Sequence, residues 1–317
     1  MPTINSLVFV QRSVFLQLQS DYLIKLVWIT LLSVMLAFSV QAKPFLWKIE
    51  SASSAKPSWV FGTIHVRSPQ VNDLPPVVNR AIKNADVLVT EIDFDAIDLA
   101  ATLQATQLPA GQNLQKLLPT KLWRQLDSRM KKISSLMSAN ILNQFKIWTA
   151  AVTLVTIGDE LKYPGLMALD MKLATDAKAA GKETDGLETF AEQLSIFDRL
   201  STREQIQMLK DTLDVLDQAE SKNIDPIAQI ETAWLSGDAT ELNRQMLLWQ
   251  GDNQQFNKKF NRIAIEQRNQ TMAERITQKM RQQPNKSFFF AVGAGHLIGD
   301  KSVQVHLQKM GNQLNRL

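Results

Sequence analysis

The sequence lacks cysteine altogether, and this absence removes several classes of site at once. Disulfide bonds, thiolate zinc sites, a cysteine nucleophile and a lipid anchor on an N-terminal cysteine are all excluded. Any bound metal would therefore be held by imidazole nitrogens or by oxygen ligands. A chain without thiols is also compatible with an oxidising compartment outside the cytoplasm.

Two further signals of common function classes are missing. The formal net charge is +4, but Lys and Arg are scattered among Asp and Glu, so we predict no binding of nucleic acid. No HExxH segment is present, so the sequence contains no metal site of the familiar zinc-protease type. A metal site in this chain would have to be assembled from residues that are distant in the sequence.

The N-terminal segment has the pattern of an export signal. Lys25 precedes an uncharged, apolar stretch at residues 26–40, and a small-residue end follows at Ala42. This arrangement predicts that residues 1–42 are a secretory signal peptide cleaved after Ala42. The alternative is an uncleaved signal anchor, which would attach the protein to a membrane. In both cases we expect residues 43–317 to be periplasmic or secreted.

Apolar runs near both ends of the chain predict the strands of one central sheet. They cover residues 45–50, 59–61, 87–93 and 288–292, with a final edge strand at 313–317. Residues from about 95 to 285 repeat apolar side chains at the helical spacing, and a short strand is predicted there at 183–187. The predicted fold class is α/β, a central mixed sheet formed from N- and C-terminal segments with a large helical middle region.

Three local predictions concern where elements end. One long helix is predicted over residues 256–281, stopped by Pro284. Glu188 is expected just beyond the short strand. Asp300 is predicted to cap the N-terminus of a last helix over residues 301–310.

Two of the three histidines lie in matching sequence contexts. Gly62-Thr63-Ile64-His65 and Gly293-Ala294-Gly295-His296 each follow a strand-like run. Ligands of such sheets bind at the carboxyl ends of the strands, so we favour a functional role for both imidazoles. The alternative is that each histidine is structural and that the glycines only shape turns. We interpret His306, inside the last helix, as structural.

Charged residues elsewhere could complete a site with these histidines. His65, Glu91 and His296 would each stand at a strand end, and two imidazoles with one carboxylate are a common ligand set for a divalent metal. Arg268 lies on the long helix before the last strand, as either a solvated charge or a clamp on a carboxylate or oxyanion. Asp170 and Glu188 are interpreted by default as helix caps.

Five segments together carry a family resemblance. They are WVFGTIHV, VLVTEID, GLETFAEQLSIFD, EQRNQTMAERI and FFFAVGAGHLIGDKSVQVHLQKMG. In this order and spacing the chain resembles the TraB/GumN family, which includes the Tiki membrane-anchored metalloproteases, from about residue 45 to the end. The resemblance implies a single domain over residues 43–317, related to the erythromycin-esterase and ChaN-like fold, with a mostly helical insertion at about 95–285.

The resemblance also implies a chemistry. It suggests a metal-dependent peptidase that uses Mn or Co ions, in which the family's histidines and acidic residue correspond to His65, His296 and Glu91. Arg268 matches the family's arginine in an RNxxMA segment. Zn is a further candidate for the ion, because the same ligands suit it.

Our first hypothesis is an exported metal-dependent hydrolase, most simply a peptidase acting on a peptide or another small substrate. His65, Glu91 and His296 would bind the ion, a metal-bound water would attack the scissile carbonyl, and Arg268 would stabilise the oxyanion. One alternative is a non-catalytic periplasmic protein that binds a peptide signal, a haem-like ligand or a polysaccharide precursor. Another is a metal-free esterase in which a histidine is the general base. The oligomeric state is not predicted.

Overall fold

A mixed sheet of six strands lies at the centre of the computed structural model, which describes residues 43–317. The predicted signal segment lies outside the described residues. The strands are β1 (Leu46–Glu50), β2 (Ser58–Thr63), β3 (Val87–Ile92), β4 (Glu183–Glu188), β5 (Phe288–Gly293) and β6 (Gln313–Arg316). They follow the order β4-β3-β5-β2-β1-β6 across the sheet. This arrangement confirms the predicted α/β class and a sheet built from both ends of the chain.

Strand direction divides the sheet into two parts. β4, β3, β5 and β2 are parallel neighbours, whereas β1 runs antiparallel to both β2 and β6. The parallel part places the carboxyl ends of four strands at one edge of the sheet. Ligands of open α/β sheets bind at this edge.

Helices make up most of the chain between β3 and β5. In chain order the helices are α1 (Pro69–Asn72), α2 (Pro76–Asn84), α3 (Leu99–Thr106), α4 (Leu114–Leu117), α5 (Thr120–Ile133), α6 (Ile147–Lys162), α7 (Leu169–Ala179), α8 (Phe190–Asp198), α9 (Thr202–Ser221), α10 (Pro226–Ser236), α11 (Ala239–Leu247), α12 (Gln254–Asn261), α13 (Gln267–Gln282) and α14 (Val303–Lys309). Short 3-10 turns lie at Phe94–Ala96, Ala139–Leu142 and Ala294–Leu297. Within residues 43–317 no helix is both long enough and apolar enough to cross a membrane.

Alternating side chains of β5 pack against helices on the two faces of the sheet. Phe289 and Ala291 belong to an apolar cluster that includes Trp234 of α10. Phe290 belongs to a second cluster that includes Met272 of α13. The alternation follows from the two-residue period of a strand, and burial of each phenylalanine contributes about 1.5–3 kcal/mol to stability. The sheet edge that carries the strand ends is therefore held between two packed layers.

The helical middle region has an apolar core of its own. Leu126 and Met130 of α5 are buried with Leu154 of α6 and with Leu209 and Leu213 of α9. These residues recur at three- and four-residue spacing, which places them on one face of each helix. The helical region is thus stabilised by its own packing in addition to its contacts with the sheet.

Three predicted element ends differ from the observed ones. The predicted helix over 256–281 is helical throughout, but a π-helical turn at Arg262–Glu266 separates α12 from α13. Glu188 belongs to β4 instead of following it. The prediction that Asp300 caps the last helix is wrong, because the positive φ of Gly299 turns the chain and α14 begins only after Ser302.

Candidate functional site

Charged side chains gather at the carboxyl ends of the four parallel strands. His65 follows β2 by two residues, Glu91 lies near the end of β3, and Glu188 ends β4. His296 lies on the 3-10 turn that directly follows β5, and Arg268 lies in the first turn of α13. The structure therefore brings together every residue that the sequence nominated for the site.

Gly293, the last residue of β5, lies at the point where three of these groups converge. A Cβ atom placed on Gly293 would lie 3.1 Å from Glu91 Oε1, 3.7 Å from His296 Cδ2 and 3.9 Å from His65 Nε2. The backbone N–H of Gly293 donates to Glu91 Oε1 at 2.6 Å. The absence of a side chain at this glycine thus leaves a small space bordered by two imidazoles and a carboxylate.

The orientation of the His296 ring is fixed by a chain of hydrogen bonds. Asn269 Nδ2 donates to the carbonyl oxygen of Lys301 at 2.8 Å, so Asn269 Oδ1 faces the histidine and accepts from His296 Nδ1 at 2.6 Å. The proton of the neutral ring is then on Nδ1, and the Nε2 lone pair faces the site. Nε2 lies 3.7 Å from Glu91 Oε1.

His65 has a carboxylate in the place where His296 has an amide. Its Nδ1 lies 2.7 Å from Asp170 Oδ2, and the Thr63 hydroxyl donates to the other Asp170 oxygen. Asp170 is buried, whereas the His65 side chain is 66% exposed. The pair directs His65 Nε2 toward the glycine at the end of β5, as a partner on the other ring nitrogen does for histidine ligands.

Arg268 connects the two acidic strand ends. Its Nε donates to both Glu188 oxygens, at 3.1 and 3.0 Å, and its NH2 group donates to Glu188 at 2.7 Å and to Glu91 at 2.5 Å. Its NH1 group donates to the Ala264 carbonyl at 3.0 Å and to His296 Nε2 at 3.1 Å. All the N–H groups of this guanidinium are therefore used within the protein. In this arrangement a substrate oxyanion would have to displace one of these acceptors.

The charges of the site set opposite protonation for its two histidines. The Asp170 carboxylate raises the pKa of His65 to about 9, whereas burial lowers the pKa of His296 to about 4. Burial also acts to raise the pKa of Glu91, but Arg268, His65 and His296, which is protonated only in the acid range where Glu91 titrates, outweigh it and lower that pKa to about 2. At neutral pH and without a metal, His65 is cationic, His296 is neutral and Glu91 is ionised.

Several residues of this site were not among the nominated ones. Asp170 and Glu188 contact His65 and Arg268 through their carboxylates, so the interpretation of both as helix caps is wrong. Gln193 of α8 donates to Glu91 Oε2 at 2.9 Å, and nothing in its sequence context singled it out. For Asn269 a signal existed, because it follows Arg268 directly in the RNxxMA segment.

The donors around Gly293 fit a divalent metal in chemical type. Two imidazoles have an oxygen partner on Nδ1 and an Nε2 facing the site, and Glu91 supplies a carboxylate, which together match common ligand sets. The space that a Cβ would fill on Gly293 is the place where these three donors meet. Within the described part of the chain, however, no three His, Asp or Glu side chains already stand in a metal-binding group. Arg268 instead bridges Glu91 and His296.

Comparisons with known proteins identify a family for the chain. The profile of the TraB/PrgY/gumN family matches residues 45–316. Metalloprotease TIKI1 of Danio rerio is 27% identical over 310 residues, which is 85% of this chain and 62% of the relative. Metalloprotease TIKI1 of Homo sapiens is 24% identical over 311 residues, which is 85% of this chain and 61% of the relative.

A bacterial relative matches over more of its own length. Uncharacterized protein YbaP of Shigella flexneri is 25% identical over 244 residues, which is 77% of this chain and 84% of the relative. The chain thus spans about three fifths of the length of the TIKI relatives. No solved structure matches the chain.

Proposed function

The chain belongs to the TraB/PrgY/gumN family, and from that premise we propose that it is an exported, metal-dependent hydrolase that cleaves peptides. Relatives named metalloproteases, at up to 27% identity, support the reaction class. The signal-like segment at residues 1–42 supports export to the periplasm or the medium, with an uncleaved segment as the membrane-attached variant of the same proposal.

One observation carries the proposal. Three donors from neighbouring parallel strands, His65 after β2, Glu91 on β3 and His296 after β5, surround the space beside Gly293. Ligands of open α/β sheets bind outside the carboxyl ends of the strands, and these three residues, distant in the sequence, meet there. A helix cap or a core histidine would not require this convergence.

The residues of the chain have separable tasks in this proposal. His65, Glu91 and His296 would hold the ion, with Mn, Co and Zn as the candidates, and the ion would supply Lewis-acid polarisation of a carbonyl and activation of water. Asp170 and Asn269 hold the two imidazoles in the required orientation.

Arg268 supplies positive charge beside the scissile carbonyl. Its contacts with Glu91 and Glu188 fix the guanidinium, and an oxyanion could take over one of its N–H groups. Substrate can approach through a pocket of about 180 Å³ that is lined in part by His65, Glu91 and Gln193. The pocket is large enough for a peptide group and one small side chain, but not for a folded protein.

The test combines metal content with turnover. We expect purified protein to bind a divalent ion in about equimolar amount, to cleave peptides of a defined synthetic mixture, and to lose this cleavage on chelation and regain it with added Mn²⁺, Co²⁺ or Zn²⁺. Elemental analysis and mass spectrometry of the peptides measure both. Cleavage that persists in protein shown to be free of metal would rule out the metal-dependent route.

A metal-free hydrolase is the second candidate, and one contact favours it. The His65–Asp170 pair, with Nδ1 2.7 Å from the carboxylate, has the arrangement of a general base whose orientation is fixed by an acid. Because the pKa of His65 is about 9, the activity of such an enzyme should rise with pH toward 9. Such an enzyme would keep its activity in chelator and lose it on His65→Gln. Tight binding of a peptide without metal and without turnover would favour the non-catalytic ligand-binding alternative instead.

A further inference from the structure

The helical middle region contains a cavity of about 530 Å³ that reaches His65 at the sheet edge. Helices α6, α9, α10, α11 and α12 contribute to its walls. Its volume lies within the range of roughly 300–1,000 Å³ that is typical of ligand sites. His65 is the one member of the proposed catalytic set that borders this cavity in the described part of the chain. The cavity therefore adjoins the proposed reaction centre but has no part in the chemistry assigned so far.

The lining of the cavity is apolar, and away from His65 its charged side chains are acidic. Val155, Ile230 and Phe260 are typical of its aliphatic and aromatic walls. No Lys or Arg borders it within residues 43–317, and apart from the histidine its charged side chains are Asp159 and Asp211. Burial raises the pKa of both carboxyls. An apolar cavity with a negative wall attracts a ligand that combines apolar groups with positive charge.

Asp211 is the unusual member of this lining. Its side chain is 7% exposed, and its Oδ1 accepts from Gln207 at 2.8 Å. Its Oδ2 is buried and has no hydrogen-bond partner among the described residues. A buried carboxyl oxygen without a donor is rare and destabilising. A donor that arrives with a ligand would remove this penalty.

Gly251 covers this carboxylate. A Cβ on Gly251 would lie 2.1 Å from Asp211 Oδ1, so only glycine fits the close contact. Gly251 lies in the loop of residues 248–253 between α11 and α12.

We propose that the cavity binds an apolar segment of a peptide substrate and that Asp211 receives a lysine or arginine side chain of that segment. Asn257 and Asn261 also line the cavity. Asn257 Nδ2 donates to the Gly251 carbonyl and Asn261 Nδ2 donates to Glu266, and each carboxamide keeps a second N–H and its oxygen for a peptide backbone, which an acyl chain does not offer. The choice of a peptide rests on the proposed peptidase function. The preference for positive charge rests on Asp211 itself.

Matched peptides test this assignment by binding. The probes are blocked octapeptides of Leu, Phe and Ser in which one position, varied in turn along the peptide, carries Lys, norleucine or Glu. Isothermal titration calorimetry of the purified protein, with chelator present, measures affinity without turnover. We expect Lys to bind roughly tenfold more tightly than norleucine at its best position, as a charge-assisted hydrogen bond would give, and Glu to bind least.

Two substitutions on the same helix separate the effect of Asp211 from general damage. Asp211→Asn removes the preference for Lys, whereas Asp214→Asn keeps it, because Asp214 pairs with Lys210 outside the cavity. Asp211→Asn should melt no earlier than the unsubstituted protein at neutral pH. Its raised carboxyl pKa means that stability is lost as pH rises above 3.8, and the amide removes that loss.

A cavity-filling variant keeps the proposal testable even if Asp211→Asn does not fold. Val155→Phe should weaken all three peptides while retaining their order of affinity. Equal affinity for Lys and norleucine in the unsubstituted protein, or binding of neither, overturns the proposal. Cleavage of the same peptides after addition of Mn²⁺ is scored separately by mass spectrometry. Lys preference without cleavage supports the cavity assignment and counts against the peptidase, and cleavage without Lys preference does the reverse.

Discussion

The two Gly-x-x-His segments have the same pattern but opposite surroundings. His296, after β5, is 4% exposed and is held by the neutral amide of Asn269. His65, after β2, has a side chain that is 66% exposed and is held by the carboxylate of Asp170. The pKa is about 4 for His296 and about 9 for His65. The motif therefore places a histidine, and distant residues decide its charge.

The two segments therefore differ in the charge and in the accessibility of the histidine that they carry. His296 is neutral, and its ring is held in place by Asn269. His65 is exposed and borders both pockets, whereas His296 lines neither of them. Substitutions at the histidines and at their partners test this difference.

Replacing either histidine should have the largest effect on activity. We expect His65→Ala and His296→Ala each to lower kcat/KM for peptide cleavage by roughly a thousandfold or more, at the upper range for loss of a group that activates water. Both variants should also destabilise the fold. His296→Ala should cost about 1–3 kcal/mol because it leaves the buried Asn269 without its partner, and His65→Ala should destabilise because it leaves the buried Asp170 carboxylate without its cationic partner. Peptide cleavage and urea unfolding measure the two effects.

His306→Ala is the control for both variants, because it removes the third histidine from α14, outside the site. Full activity in His65→Ala would show that the two segments do not share a function. A loss of stability in His65→Ala that does not shrink as pH rises through about 9 would contradict the pairing of His65 with Asp170.

Loss of Arg268, which lies between the two acidic strand ends, should have the next largest effect. Arg268→Gln leaves two buried carboxylates without their charge partner, so we expect about 3–5 kcal/mol of destabilisation and about a hundredfold lower kcat/KM. In the native protein the low pKa of Glu91, about 2, gives stability that is present above pH 4.5 and lost as pH falls toward 2. In the variant, burial instead raises the pKa of Glu91. The difference in the free energy of unfolding between the native protein and the variant should therefore become smaller at acid pH.

Arg275→Gln provides the matched control on the same helix. Arg275 pairs with the half-exposed Glu192, so its loss should cost no more than about 1 kcal/mol. Urea unfolding at pH 7 and at pH 4 measures both variants. An Arg268→Gln protein as stable as Arg275→Gln at pH 7 would show that the contacts of Arg268 with Glu91 and Glu188 do not stabilise the site.

A methyl group on Gly293 should fill the space that is bordered by the two histidines and Glu91. Gly293 has φ −52, which alanine adopts freely, so Gly293→Ala should fold. Its Cβ would displace the Glu91 carboxylate from 3.1 Å, and we expect roughly a hundredfold loss of kcat/KM, as for a misplacement of about 1 Å. The control is Gly295→Ala, whose Cβ meets only the flexible end of Met246. Unchanged activity and metal content in Gly293→Ala would place the reaction elsewhere.

Exchange of the Nδ1 partners should have the smallest effect on activity. Asp170→Asn should lower the pKa of His65 from about 9 toward 6.5, and reduce kcat/KM by about 10–100-fold. In the native protein His65 contributes stability that is complete below pH 6.5 and is lost as pH rises through about 9. The variant should not show this loss.

The reciprocal change, Asn269→Asp, should raise the pKa of His296 above about 4. Imidazole titration by NMR in metal-free protein measures both variants. A His65 pKa that does not move in Asp170→Asn would contradict the assignment of Asp170 as its charge partner.

The strands and the nominated site residues were predictable because they depend on local pattern. Apolar runs fix β2, β3 and β5, and their parallel pairing follows from the layout of an α/β chain. Their carboxyl ends then bring His65, Glu91 and His296 together without further information.

The partners of these residues were not predictable in the same way. Asp170 meets Thr63 across 107 residues, and a single acidic residue in the first turn of a helix has the same local pattern whether it caps or orients a histidine. β4 is polar because it is the edge strand of the sheet and its first residues are partly exposed. Its local composition therefore resembles a loop.

The place of β5 in the sheet has a consequence for how the protein matures. β5 lies between β2 and β3, and its first residue bonds to Ser58 across 230 residues. The ribosome must therefore have made nearly the whole polypeptide before the strand ends can be assembled. Contacts of such long range form slowly, so the residues of the site come together late in folding, and this order of events suits the proposed export of the chain.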